Sequence, residues 1–422
     1  MSAPSRGISV FSKKPTIPLW LEEPSLIGRT LPLLPKYLGT KSTLRRSPRN
    51  ELSHGSQLQK LHSFDQWKDR DMKTRMSVLI VTWNSANHIE QCLRSLDKSV
   101  GKGIEVCVVD NCSSDSTTDI VRQFASVKLI ETGANLGFAP AMNIAIRGAS
   151  GTFVCLLNPD TVVSPSALGR LEAFLEKNPT VEAVGPRLVD ENGKIIIAGA
   201  RPFPSIWESF ARLFGIAKIL PEALVVGKRV HMALHSQYPI SVPALTGAAL
   251  MLRLASIEEI GPLDETIPMY FEDLDYCARL QSKGSIYYLP EAIVVHLGGK
   301  SADLAPVRML LYAMENGEAP WLYFRRHESI ASPFLFSALI FIGSLFRLTV
   351  LFPVSAVARC FSSELRRNLH RIRARSVALL WWSLCPRSRF QKRIDQFFGR
   401  NLWAKDNIYD SDPPVSKWES MS

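Results

Sequence analysis

No two of the seven cysteines form a C-x-x-C pair, which removes short-spaced zinc and dithiol sites from consideration. Several of these thiols sit in apolar runs, Cys107 in "VCVVD" and Cys155 in "FVCLL", so they are expected to be buried and reduced. The N-terminal stretch has no continuous apolar segment of secretory length, because "ISVF" is soon followed by Lys13 and Lys14; a cytoplasmic chain is expected. No G-x-G-x-x-G follows the first predicted strand, and "LGGKS" (297–301) has Val294 where a phosphate-binding loop needs its first glycine. Two common ways of holding a nucleotide on a parallel sheet are thereby excluded.

Charge of one sign is scarce at the ends. The chain carries a formal +11, and its first 75 residues hold 14 Lys/Arg against 6 Asp/Glu. Seven prolines, Pro4 to Pro48, and no sustained apolar period mark residues 1–75 as a basic, disordered extension. The stretch after residue 320 is again rich in arginine, and the middle is nearly neutral. Basic ends of this kind suit an anionic partner, a membrane surface or nucleic acid.

From "MSVLIVTWN" onward the texture is globular. Apolar runs at Ser77 to Thr82, "IEVCVVD", "VKLIET" and "TFVCLL" alternate with helical patterns over Ala86 to Leu96, Ser116 to Phe124 and Phe138 to Ala149. Such alternation predicts an α/β fold, a mainly parallel central sheet with helices on both faces. Ligands then lie beyond the carboxyl ends of the strands. Those ends are all polar: Thr82, Trp83 and Asn84; Asp110; Asn135, Gly137 and Asn143; Asn158 and Asp160. Each alone has a local explanation in capping or turn chemistry, but four at one sheet edge point to a site.

A second concentration lies in "PMYFEDLDYCARL" (268–280), where Glu272, Asp273 and Asp275 stand among aromatic and aliphatic residues with only Arg279 as a nearby counter-charge. Crowded acids raise one another's pKa and suit proton transfer or cation binding. The same acids would also be at home in the first turn of a helix, and Asp275 is spaced for an i,i+4 pair with Arg279.

Seven blocks in order, "VLIVTWN", "VVDNCSSDST", "GANLGFAPAMNIAI", "LLNPDT", "LTGAALMLR", "GPLDETIPMYFEDLDYCARL" and "VVHLGGKS", resemble the family 2 glycosyltransferases, particularly their rhamnosyltransferase-like branch. The resemblance runs over about residues 76–330. It implies a GT-A fold, a nucleotide-diphosphate sugar donor, a divalent cation (Mg2+ or Mn2+) and inversion at the anomeric carbon. By the same resemblance Thr82, Trp83, Asn84, Asp110, Asn135, Gly137, Asn143 and Asn158 face the donor, and Asp160 and His296 face the metal. Asn158 stands where the family's first metal-site acid is found, which leaves fewer anionic ligands. Asp273 matches the base that takes the acceptor proton, with Glu272 beside it. Thr246, Gly247 and Asp275 are expected at the acceptor, with "LTGAAL" (245–250) as a strand flooring its site.

Past that region, residues 332–361 are apolar for about 25 residues apart from Arg347, long enough as a helix to reach roughly 37 Å. A central arginine is costly in a bilayer, and Arg359, Arg366, Arg367, Arg371, Arg373 and Arg375 follow. An in-plane anchor on anionic lipid is therefore expected over residues 331–400, ahead of a transmembrane hairpin or a soluble helical subdomain. A polar tail fills 401–422. The function expected is sugar transfer to a glycan or polyprenyl-linked acceptor at the inner membrane face; the contrasting reading is a noncatalytic sheet protein that scaffolds a membrane complex or binds nucleic acid. Asp160, Asp273 and His296 separate the two, since a binding module needs none of them.

Overall fold

A computed structural model describes residues 74–99, 103–267, 269–298, 305–357, 363–387, 389–390 and 393–394. The expected basic extension, except residues 74 and 75, and the polar tail 401–422 lie outside them. The strands are β1 (Met76–Thr82), β2 (Ile104–Asp110), β3 (Val127–Glu131), β4 (Phe153–Leu157), β5 (Thr161–Val163), β6 (Val181–Val189), β7 (Ala200–Arg201), β8 (Ile240–Ser241), β9 (Ala244–Leu245), β10 (Ala249–Arg253) and β11 (Ser285–His296).

Every residue of β1 is buried, and its side chains divide by the period of two that a pleated strand imposes. Leu79 and Val81 join Cys107, Val109, Val154 and Leu156 on one face of the sheet. Met76, Val78 and Ile80 join Val106, Val108, Cys155 and Leu157 on the other. Two apolar faces require two covering layers, which the intervening helices supply. Of the cysteines, Cys92, Cys107, Cys155 and Cys277 are buried and unpaired, while Cys112 and Cys385 are partly exposed.

The sheet order is β3-β2-β1-β4-β10-β6-β11-β5, with β8 pairing β11. β3, β2, β1 and β4 run parallel. β10 enters antiparallel between β4 and β6, and β11 returns parallel to β6. The inserted antiparallel strand brings a later segment of chain against the carboxyl end of β4, where Asn158 N–H donates to Ala248 O at 3.0 Å. "LTGAAL", expected as one strand, is instead broken: β9 ends at Leu245, residues 246–248 turn, and β10 starts at Ala249. Gly247 in that turn faces the acid helix; a Cβ placed on it would lie 3.7 Å from the Asp273 Cβ.

The tail is helical. Ser332–Val357 is a single helix packed against Ser363–Leu384, and both are docked on the sheet domain. Trp382 is completely buried; its indole N–H donates to Glu318 at 2.8 Å, and Arg387 lies 3.9 Å from its ring centroid. Glu318 closes a π-helical turn, Met314–Glu318, in which Gly317 lies flat against the indole. A Cβ at Gly317 would come within 2.6 Å of the Trp382 ring. Gly317→Ala should therefore destabilise the fold by about 1–3 kcal/mol through overpacking, read as a lower denaturant midpoint; an unchanged midpoint would mean the indole is free to shift.

Candidate active site

The loops after β1 and β2 are laced to each other. Thr82 Oγ1 donates to Asp110 Oδ1 at 2.9 Å, and Ser113 donates to the same carboxylate through its N–H (2.8 Å) and hydroxyl (2.5 Å). Asn84 Oδ1 accepts from Ser114 N–H at 2.8 Å, while Asn84 N–H donates to Ser113 Oγ at 2.8 Å. Asn84 and Cys112 take positive φ, 48° and 65°, a conformation that costs a non-glycine residue about 1–3 kcal/mol and persists only where surroundings enforce it. The expected donor-side residues Thr82, Asn84 and Asp110 thus form a stiff rim. Asp110 organises that rim with its own carboxylate already engaged.

Asn111, Asn135 and Gly137 make the adjoining wall. Asn111 donates to Asn135 Oδ1 at 2.9 Å and to Gly137 O at 3.1 Å, and accepts from Leu136 N–H. Gly137, at φ 90°, starts the helix Phe138–Arg147, and a side chain there would be strained. Asn143, expected at the donor, is fully buried instead. Its amide donates to Leu263 O and Glu265, and its carbonyl accepts from Leu263 N–H, all at 2.9 Å. It ties this helix to the loop that leads into the acid cluster, and its buried amide has no face left for a sugar nucleotide.

Asp160 and His296 are brought together by strand pairing: β5 lies antiparallel to β11 with Thr161 opposite His296. His296 Nε2 stands 3.2 Å from Asp160 Oδ1. Burial alone would push the Asp160 carboxyl up, but the hydrogen bond and charge of His296, aided by His88, outweigh it and hold the group below its ordinary value. A hard carboxylate oxygen and an imidazole nitrogen at this separation can share one divalent cation, so the residues present fit the metal that the sequence resemblance implies.

Asp273 lies in the first turn of the helix Glu272–Leu280. Its carboxylate accepts from Gly247 N–H at 3.1 Å, and Arg201 Nη1 lies 3.4 Å from each oxygen. Arg201 also sits over the Phe271 ring, 5.3 Å from its centroid. Two successive non-glycine residues, Tyr270 (φ 64°) and Phe271 (φ 67°), are left-handed immediately before the acids. Strain of that kind, repeated at the β1 and β2 loops, clusters where a site is pre-organised. Glu272 has Oε2 sealed from solvent with no hydrogen-bond partner. Burial first, and then the neighbouring Asp273 charge, push its carboxyl well above the ordinary range, against the pull of Arg201.

Asp275, expected at the acceptor, has a structural task instead. It is 2% exposed, and its oxygens are taken by Arg279 Nε at 3.0 Å and His327 Nε2 at 2.8 Å. The i,i+4 pair anticipated from spacing is present; the histidine, 52 residues away, had no local signal. Arg201 was missed for the same reason, being 72 residues from Asp273.

Residues 77–225 match the model for glycosyl transferase family 2. That stretch is a glycosyl transferase family 2 domain. The chain is 28% identical over 253 residues to the N-acetylglucosaminyl-diphospho-decaprenol L-rhamnosyltransferase of Mycobacterium tuberculosis, covering 56% of this chain and 80% of the relative. It is 25% identical over 211 residues to the low-salt glycan biosynthesis hexosyltransferase Agl10 of Haloferax volcanii, covering 48% and 61%. Among solved structures, the mannosyltransferase PcManGT of Pyrobaculum calidifontis, in complex with GDP-Man and Mn2+, overlaps 83% of this chain and 96% of its own at 18% identity and a TM-score of 0.45. The mixed central sheet with helices on both faces is the α/β architecture expected from the sequence, and over this domain the chain is similar to glycosyltransferases, a rhamnosyltransferase among them.

The raised carboxyl of Glu272 has a consequence for stability. A buried acid with a raised pKa contributes stability below its unfolded value and loses it as pH rises through the folded one. Glu272→Gln should therefore gain stability over the parent as pH rises from about 5 to about 9, measured by denaturant unfolding at several pH values. A constant difference across that range would show that Glu272 does not hold the proton.

Proposed function

We propose that this glycosyltransferase inverts the donor anomeric carbon, using Asp273 as base, a divalent cation at Asp160 and His296, and a hydroxyl of a lipid-linked glycan as acceptor. The observation that carries the reading is the short bonded path between the two acids. Asn158 N–H donates to Ala248 O, and the adjacent Gly247 N–H donates to Asp273. A carboxylate aimed for proton abstraction is thus anchored to the same turn that adjoins the Asp160 corner.

In an inverting displacement the acceptor oxygen forms its bond to the anomeric carbon as the bond to the nucleoside diphosphate breaks, with the electron pair leaving on the diphosphate. Asp273 takes the hydroxyl proton. Gly247 and Arg201 fix the orientation of its carboxylate, so little reorganisation is needed on reaction. When bound, a divalent cation supplies charge neutralisation for the departing diphosphate. Asp160 and His296 would hold it, and the rim of Thr82, Asn84 and Asp110, with Gly137 beside it, lies where the nucleoside would rest. Trp83 and Asn158 adjoin that rim, and Thr246 adjoins the Asp273 turn. The mycobacterial relative favours a deoxyhexose such as rhamnose and a polyprenyl-diphosphate acceptor. A scaffold or nucleic-acid role would leave the Asp273 bracket and the Asp160–His296 pair without employment.

Two substitutions separate binding from chemistry. Asp273→Asn keeps size and hydrogen bonding, so donor affinity by calorimetry should survive while kcat falls by roughly 10²-fold or more. Asp160→Ala should instead abolish the Mg2+- or Mn2+-dependent part of donor binding. Donor affinity that is insensitive to metal in both the parent and Asp160→Ala would remove the cation from the proposal, and a product retaining the donor's anomeric configuration would remove inversion.

A further inference from the structure

The helix Ser332–Val357 has its polarity reversed relative to an ordinary surface helix. Phe336, Ile340 and Ser344 are buried against the protein, and a Cβ at Gly343 would overlap Leu213. Arg347, the residue that argued against a simple membrane span, turns inward and donates to Arg212 O at 2.7 Å. Outward point Phe334, Leu335, Ile342, Leu345, Phe346 and Val350. Their spacing of one, seven, eleven and fifteen residues from Phe334 and Leu335 places them on one face, a stripe of about 24 Å without a charged side chain.

That stripe does not end with its helix. Phe346 meets Phe214 at 5.3 Å between ring centroids, Phe214 meets Phe210 at 4.7 Å, and Phe210 stacks on Trp207 at 5.6 Å. Trp207 is itself 56% exposed, and the chain continues to Ile219, which is 82% exposed. Exposed aromatic residues at both ends of a ladder make one patch from two segments separated by more than a hundred residues of sequence. Contiguous apolar surface of this extent marks an interaction face.

We infer that this composite face, the outer stripe of Ser332–Val357 together with the Trp207 end of Ile206–Leu213, lies in the plane of an anionic bilayer and holds the catalytic domain in one fixed orientation to it. Charge selects lipid as the occupant. The companion helix Ser363–Leu384 has one acid, Glu364, and exposes Arg367, Arg371 and Arg375 at successive i,i+4 positions beside the apolar helix. An apolar stripe bordered by arginines and a tryptophan is the arrangement that partitions into the headgroup boundary. The buried inner face argues for lying in the surface over spanning it, since a span would have to strip Phe336, Ile340 and Gly343 from their protein partners. The inference builds on the lipid-linked acceptor and adds how it is met. Helix Ile206–Leu213 begins five residues after Arg201, so one short segment runs from the bilayer contact to the guanidinium that holds Asp273.

The test uses the full chain, vesicles of phosphatidylcholine with and without phosphatidylglycerol, and the variants Trp207→Glu and Ile342→Glu. The parent should sediment with the anionic vesicles, and each variant should lose at least about tenfold in partition while keeping parental turnover on a short soluble acceptor, which also reports folding. Brominated lipid should quench the parent more than Trp207→Phe. Loss in Ile342→Glu but not in Trp207→Glu would confine the contact to the tail and overturn the composite face. A parent that ignores vesicles but forms a dimer broken by either substitution would assign the face to a second copy of the chain. Absence of turnover on every acceptor, with vesicle binding intact, would count against the proposed reaction and leave the membrane face standing.

Discussion

The site depends on the position of one carboxylate. Asp273 is held from two sides by groups that come from distant parts of the chain, the Gly247 amide and the Arg201 guanidinium, and its helix is entered through two strained residues. The Gly247 contact rests on β10 lying antiparallel beside β4, because that pairing sets the 246–248 turn against Asn158. Sheet topology is in this sense the cause of the chemistry. A parallel strand in place of β10 would send the 246–248 turn to the opposite end of the sheet, away from Asp160.

What could be read from sequence follows from how far each interaction reaches. The parallel strands and their polar ends were legible because apolar runs and turn residues report local structure, and β2 was read at its observed limits, Ile104–Asp110. The Asp275–Arg279 pair was legible because four residues make one helical turn. Asn143 read as a ligand because it lies in a run rich in asparagine and glycine, yet its partners Leu263 and Glu265 are some 120 residues on. Spacing carries no trace of such a pairing. The same limit hid Arg201 and His327 and broke the single strand expected at "LTGAAL".

Arg347 illustrates a different limit, one of direction. Composition counts a charge in an apolar helix as a penalty for the whole helix, although the penalty applies only to the face on which the charge lies. Once the guanidinium is spent on Arg212 O, the opposite face is left without a charge. Only packing decides which side a residue faces, and that depends on Gly343 permitting Leu213 to approach.

The helix Ala319–His327 joins these parts mechanically. At its end, His327 holds Asp275 on the acid helix, and Arg326 pairs with Asp264 at 2.6 Å in the loop that Asn143 also grips. Along its length Tyr323 stacks on Phe203, two residues from Arg201, with centroids 6.0 Å apart. Phe324 packs on Phe336 of the apolar helix at 5.2 Å, and Phe336 in turn meets Trp382. The acid helix, the segment that follows Arg201 and the apolar helix Ser332–Val357 therefore all bear on one nine-residue element. A close-packed interior transmits displacement instead of absorbing it, so a bilayer that fixes the tail also fixes the height and tilt of Asp273 above the surface from which an acceptor hydroxyl would arrive.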